Sequence, residues 1–247
     1  MRDRAEALSH VLRQGDAFSH TTAAALVGAP LPKTDSRIHV TTVGRENRIR
    51  RPGVVGHRAT AIPRTMLGTL PIVEPAHTWV QLATMLSHDD LVAVGDFLVT
   101  PDRHRKTAAI ASIDALAAAI PERGRGAARA RSALSDVRPG AESRMETLTR
   151  LLVLRAGLPE PELNPGVQIQ GTTLHPDLLL RELRIVLEYE GDGHRTDAKA
   201  WRRDIWRREA FQAAGFRVIQ VHAEDVLAEP QAFLARVCHA IAQRRTL

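Results

Sequence analysis

In the run RIVLEYEGDGH, residues 184–194, two carboxylates sit two positions apart at the end of an apolar stretch. Side chains alternate along a strand, so Val186, Glu188 and Glu190 share one face while Ile185, Leu187 and Tyr189 share the other. Two acids at successive same-face positions repel, and each raises the other's pKa unless a cation lies between them. A divalent metal is the economical explanation. Asp177 stands just after Pro176 and before the apolar Leu178–Leu180, at the end of the polar part of the preceding strand. Placed beside Glu188, it completes an oxygen cage. Such cages suit Mg²⁺ (or Mn²⁺), which takes one or two carboxylates plus waters and substrate phosphate oxygens, the arrangement used in phosphodiester hydrolysis. Glu142 lies three residues before Met145 and six before Leu148. A helix over 141–156 therefore puts it on the core-facing side, where a metal-bound water or an active-site base would partner it.

The elements that must position these groups follow from residue 141 onward as helix, strand, strand, helix, strand, helix. The first helix, 141–156, carries Met145, Leu148 and Leu152 on its core face and ends at Gly157 and Pro159. VQIQG and TTLHPDLLL, divided at Gly171, read as a hairpin, and RIVLEYEG as a third strand. Thr196 or Asp197 opens a helix that runs to Ala214 and stops at Gly215. FRVIQVH is a strand, and 225–245 is the closing helix, with Cys238 in its buried apolar pattern. The pattern predicts an α/β (α+β) domain over 141–247: a mixed sheet flanked by helices, with ligands at strand ends.

Before it, residues 1–120 read as a smaller mixed α/β domain. A helix over 4–13 has Ala5, Leu8 and Leu12 on one face. Ser19 is placed to cap a second helix that runs to Leu26 and stops at Gly28. The β-branched, Gly- and Pro-containing segments that follow predict strands instead of a recognition helix, which argues against autonomous major-groove reading. Residues 75–99 form a helical region with an apolar stripe of Trp79, Leu82, Met85 and Leu86. Asp89, Asp90 and Asp96 are assigned to a helix start and a solvent face instead of a metal site. The Arg/Gly/Pro-rich stretch 121–140 reads as a linker.

Composition bounds the function class. Hydrophobic residues make up 44% and charged residues 25% of the 247 positions, an ordinary balance for a folded chain. No apolar run is long enough for a membrane helix, and the N-terminus lacks the apolar core of a signal peptide, so the expected compartment is cytoplasmic. A single cysteine excludes an internal disulfide. The net charge of +6 is uneven: residues 1–70 carry eleven Lys/Arg against five Asp/Glu, and residues 121–138 five against two. Clustered arginine attracts phosphate backbones by counterion release, so DNA is the expected partner.

The runs PDLLL, EYEGDGH, WRRDIWRRE and GFRVIQV resemble the very short patch repair type of restriction-endonuclease-like domain, and still more a broad bacterial family of uncharacterised proteins related to it. The resemblance covers about residues 139–245. It maps a helix acid onto Glu142, a second-strand acid onto Asp177, an acidic pair before Gly onto Glu188 and Glu190, a following His onto His194, and a D-x-x-x-R helix motif onto Asp204 and Arg208. Classical nucleases of this type end the third-strand motif in Lys, where this chain has Glu190. The resemblance implies that His194 takes over proton transfer, with Asp204 and Arg208 supporting the site from behind. Read on its own, the Asp204/Arg208 spacing is that of an ordinary helix-surface ion pair. Packing accounts for Trp201 and Trp206 more cheaply than base stacking. The runs FSHTTAAALVGAPLP, PIVEPAHTW and DLVAVGDFLVT more weakly resemble the region that precedes such domains in relatives of abortive-infection antitoxins.

These readings converge on a Mg²⁺-dependent DNA endonuclease or nickase, with Asp177, Glu188 and Glu190 at the metal. The alternative is a non-catalytic DNA-binding or antitoxin-like regulator that retains the nuclease fold.

Overall fold

The computed structural model describes residues 1–32, 36–44, 47–191 and 198–245, with the backbone alone at 198–201 and 203. The chain divides into two compact units, Met1–Pro139 and Gly140–Leu247. Both are mixed α/β, with helices flanking mixed sheets, as the alternation of sequence periods predicts. The first unit is the larger, not the smaller.

The first unit opens with α1 (Arg2–Ser9), β1 (Asp16–Phe18) and α2 (His20–Val27), followed by β2 (Ile38–Val43), β3 (Val54–Ala59), β4 (Arg64–Leu67) and β5 (Leu70–Val73). The five strands form one sheet in the order β3-β2-β1-β5-β4. β2 runs parallel to β3, β1 parallel to β5, and the other pairings are antiparallel. A strand separates the first two helices and another follows them, so no helix-turn-helix forms. Gly28 ends α2 in the left-handed conformation at φ +89°, its N–H bonded back to Ala24 and Ala25. Ser19 occupies the N-cap position of α2, but its hydroxyl does not cap the helix.

α3 (Pro75–Leu82), α4 (His88–Val99), α5 (Ile113–Ala119) and α6 (Ala127–Asp136) complete this unit. The expected linker over 121–140 is thus corrected: it contains a helix whose Ala127, Ala130 and Ala133 are buried, and the units part after Pro139. Arginine and glycine suggested a solvated tether, but the alanines at spacings of three let α6 pack closely on α4. Met85 is exposed, off the predicted stripe. Asp96, assigned to a solvent face, is fully buried and accepts the backbone N–H of Arg138 at 2.7 Å. Gly95 on α4 makes the close approach possible: a Cβ there would sit 2.6 Å from Val137 Cγ2 and 3.2 Å from Trp79 Nε1. Gly95→Ala is expected to destabilise the protein by about 1–3 kcal/mol through overpacking, despite its better helix propensity. A urea melt checks this, and an unchanged midpoint would refute the close packing.

The second unit comprises α7 (Arg144–Arg155), β6 (Glu162–Leu163), β7 (Val167–Ile169), β8 (Thr172–Leu174), β9 (Leu178–Leu180), β10 (Ile185–Tyr189), α8 (Ala198–Ala213), β11 (Arg217–Val221), α9 (Ala223–Leu227) and α10 (Pro230–Arg245). β7 and β8 form the predicted hairpin about Gly171, while the leucines that follow belong to a separate strand, β9. The main sheet has the order β11-β10-β9-β6, with β10 and β11 parallel and the other neighbours antiparallel. Ile185 and Leu187 pack with Val153, Phe233 and Val237, and Val186 packs with Phe211 and the hairpin's Val167 and Leu174. The alternation read from the sequence therefore holds: α7 and α10 cover one face of the sheet, and α8 with the hairpin covers the other. Cys238 is exposed, contrary to its apolar neighbourhood in sequence, and Trp206 is half-exposed.

Among the described residues no helix is long and apolar enough to cross a membrane.

Candidate acidic site at the strand ends of the second unit

Asp177 leads into β9, Glu188 lies near the end of β10, and the antiparallel pairing of these strands brings the two together. One Asp177 carboxylate oxygen accepts the backbone N–H of Tyr189 at 2.8 Å, and the Asp177 carbonyl accepts the N–H of Asn164 at 2.9 Å. The third acid comes from α7, and it is Glu146, not Glu142. The helix starts one turn later than the sequence pattern suggested: Ser143 is the N-cap, its hydroxyl accepting the N–H of Glu146, which leaves Glu142 exposed and outside the helix. Glu146 is buried, and its Oε2 accepts both the backbone N–H of Glu142 at 2.8 Å and the Asn164 side-chain amide at 2.6 Å. A serine followed three residues later by glutamate is the capping-box spacing, a signal in the sequence that could have shifted the helix start and identified the acid.

Burial pushes the Glu146 carboxyl up to about 7, with the charge of Asp177 adding to the rise. Glu188 is likewise pushed up to about 7, first by burial and then by Asp177, with Asp204 adding and Arg207 opposing. Three carboxylates thus share one field, centred on Asp177. Arg207, on α8, donates to both oxygens of Glu188 at 2.9 and 3.0 Å and to the His175 carbonyl at 3.0 Å. The sequence pattern did not single it out, because WRRDIWRRE offers four arginines and only α8's placement selects one.

Glu190 does not join this group. It is exposed, and its carboxylate takes Arg208 at 2.6 Å together with the Gln220 amide. The alternation of β10 carries on through Glu190, whose backbone N–H donates to the Val221 carbonyl at 2.8 Å, so Glu190 keeps to the Glu188 face; one cation on α8 and one amide on β11 take up its carboxylate there. Arg208 is therefore the ion-pair partner of Glu190, and the Asp204 charge is felt at Glu188. His194 lies outside the described residues. His175, missed in the sequence, stands on the same segment as Asp177; its Nδ1 donates to the Asn164 carbonyl at 3.1 Å, which leaves Nε2 as an unprotonated acceptor in the neutral ring.

The donor set is oxygen-rich and suits a hard cation held by one or two carboxylates with waters making up the shell. Among the described residues, however, the one trio of His, Cys, Asp or Glu side chains whose ligand atoms all lie within 4.8 Å of one another is His20, His39 and His57, in the first unit. An ion at the acidic site would take the neighbouring Asp177 and Glu188 as its ligands, with Glu146 placed to meet its waters.

No family model matches the sequence. Two proteins described as uncharacterized, from two strains of Mycobacterium tuberculosis, are each 29% identical to this chain over 226 residues, 91% of this chain and 80% of the relative. That aligned length exceeds either unit, so the likeness extends across both.

Proposed function

We propose that the second unit is a Mg²⁺-dependent phosphodiester hydrolase that cleaves or nicks DNA, in repair or phage defence. The observation that carries this reading is the convergence of Asp177, Glu188 and buried Glu146 at the strand ends, two of them pushed up to about 7 by burial and by Asp177. Acids held at such a cost in charge are arranged for a cation and for proton transfer. Mg²⁺ or Mn²⁺ held by Asp177 and Glu188 supplies neutralisation of the scissile phosphate when bound. The chain's own residues do the rest. Glu146 orients water or accepts its proton, and Nε2 of His175, the ring nitrogen not bonded to Asn164, offers a second proton-transfer group. Arg207 supplies the positive charge that the third-strand lysine of classical nucleases would bring, and Glu188 would serve as a ligand only with its hydrogen bonds to Arg207 loosened. Half-exposed Trp206, on the same helix, offers a stacking surface for a base.

One observation favours the second reading, a DNA-binding or antitoxin-like regulator without catalysis: the Arg207 guanidinium already occupies both oxygens of Glu188. Incubation of the purified chain with supercoiled plasmid decides between them. The enzyme reading expects nicked or linear product with Mg²⁺ or Mn²⁺, none with chelator, and none after substitution of Asp177. Intact plasmid throughout, with DNA still bound, supports the regulator.

DNA binding itself is assigned to the basic first unit. Arg123 and Arg125 are exposed in the turn before α6, within the charge-rich stretch 121–138. Replacing both by Ser is expected to lower the slope of log affinity against log salt by about 0.9 for each phosphate that the two arginines neutralise. Fluorescence anisotropy across a salt series measures it, and an unchanged slope would remove these residues from the interface.

A further inference from the structure

The geometry points to a second metal site, in the first unit: a borderline divalent ion such as Zn²⁺ held by the imidazoles of His20, His39 and His57, with one coordination position left open. The three rings come from three elements: the first residue of α2, and β2 and β3 side by side. His39 Nδ1 and His57 Nε2 lie 3.0 Å apart, and the ligand atoms of all three are within 4.8 Å of one another. A tetrahedral ion with ordinary Zn–N bonds holds two nitrogens about 3.3 Å apart, with ring centroids roughly 5 Å apart. His39 and His57 have their centroids at 5.1 Å, and His20 and His39 at 5.6 Å, both close to that spacing. His20 and His57 are stacked at 3.8 Å, so His20 must swing off His57 as the ion enters.

Three features of the surroundings fit an ion and are otherwise costly. His20 holds a left-handed backbone, φ +52°, which a residue with a Cβ adopts under strain. Ser19, placed to cap α2, instead puts its hydroxyl 3.0 Å from His20 Nδ1. That approach orients the ring and leaves Nε2 for a metal, as partners behind metal-bound histidines do. Thr41 is directly opposite His57 in the β2–β3 register and on the same face of β2 as His39. Its Oγ1 is buried and has no hydrogen-bond partner among the described residues. A water on the ion's open position would supply one.

Burial, then His57 and His39, hold His20 down at about 3. Burial, His39 and Arg48 hold His57 down at about 4. These two rings therefore favour the uncharged form that binds metal; the proton shared between His39 Nδ1 and His57 Nε2 would move to an outer ring nitrogen. Neutral imidazoles select zinc, copper, nickel or cobalt over magnesium, so this site and the acidic one are chemically separate.

Co²⁺ titration of the full-length chain, stripped of metal with chelator, tests the assignment. Visible absorption of tetrahedral Co²⁺ is expected to saturate at one equivalent, to bleach on adding Zn²⁺, and to persist in a thousandfold excess of Mg²⁺. His57→Ala and His20→Ala should each weaken binding at least tenfold, and Thr41→Val, which keeps all three ligands and the side-chain shape, about tenfold. Far-ultraviolet circular dichroism establishes that each variant is folded. Absence of the band in the wild-type chain overturns the site, as does a band equally tight in folded His57→Ala.

Discussion

Asp177→Asn is expected to abolish metal-dependent DNA cleavage, with a loss on the order of 10³-fold, while the protein remains folded. The fold survives because asparagine keeps a side-chain oxygen for the Tyr189 N–H, the bond that ties the entry of β9 to the end of β10. Activity does not survive, because the change removes a formal charge from a hard-cation site that has few carboxylates to spare, and stabilisation of several kcal/mol at the transition state is what such an ion supplies. The same substitution has a second, independent signature. Asp177 raises the proton affinity of both Glu146 and Glu188, so removing its charge lets both acids ionise at lower pH. Calorimetric Mn²⁺ titration should show weakened binding in parallel with the loss of cleavage. Cleavage equal to wild type would attribute the activity to a contaminant, and abolished cleavage with undiminished Mn²⁺ binding would take Asp177 out of the ligand set.

Which parts of this site could be read from the sequence follows from the range over which each signal acts. Alternation in β10 is a local property, so the two faces of IVLEY, and Glu188's place on one of them, were legible. Asp177 was legible because a proline and three leucines fix where the strand begins. The face of Glu190 was legible from the same alternation, but not its partners: Arg208 and Gln220, brought in from α8 and β11, take up its carboxylate. Glu142 was chosen over Glu146 by counting back from apolar residues, although the Ser143 cap sets the helix start. Arg207 and the histidine trio depend wholly on tertiary packing. His20, His39 and His57 are spread over nearly forty positions in the sequence, with none of the short spacings that mark a metal motif. The helix in 121–140 was hidden by composition: its arginines and glycines suggested a tether, and its small buried residues carried no large apolar stripe.

Glu146 carries the second large effect, on stability against pH. Its carboxyl is pushed from 4.5 up to about 7 in the folded chain. Below pH 4.5 both the folded and unfolded states hold the proton and nothing is lost. Between pH 4.5 and 7 the unfolded chain releases the proton while the folded chain retains it, so stability falls as pH rises; above 7 the folded state carries the full penalty. For a shift of this size the penalty is at most about 3 kcal/mol. Glu146→Gln should remove it without disturbing the local bonds, because the Glu142 N–H and the Asn164 amide both donate to the same oxygen, Oε2, whose place the glutamine carbonyl takes. In chelator at pH 8 the variant is therefore expected to be more stable than wild type, and at pH 4.5 the two should coincide. The comparison must be between the two proteins at each pH, since His20 and His57, held down at about 3 and about 4, impose the opposite slope. Their unfolded forms take up protons as pH falls through 6.5, which destabilises wild type and variant alike and cancels in the difference. Denaturant melts at pH 4.5, 6 and 8 measure that difference. A variant no more stable than wild type at pH 8 would mean that Glu146 is not the buried, proton-holding acid on which its role beside Asp177 depends.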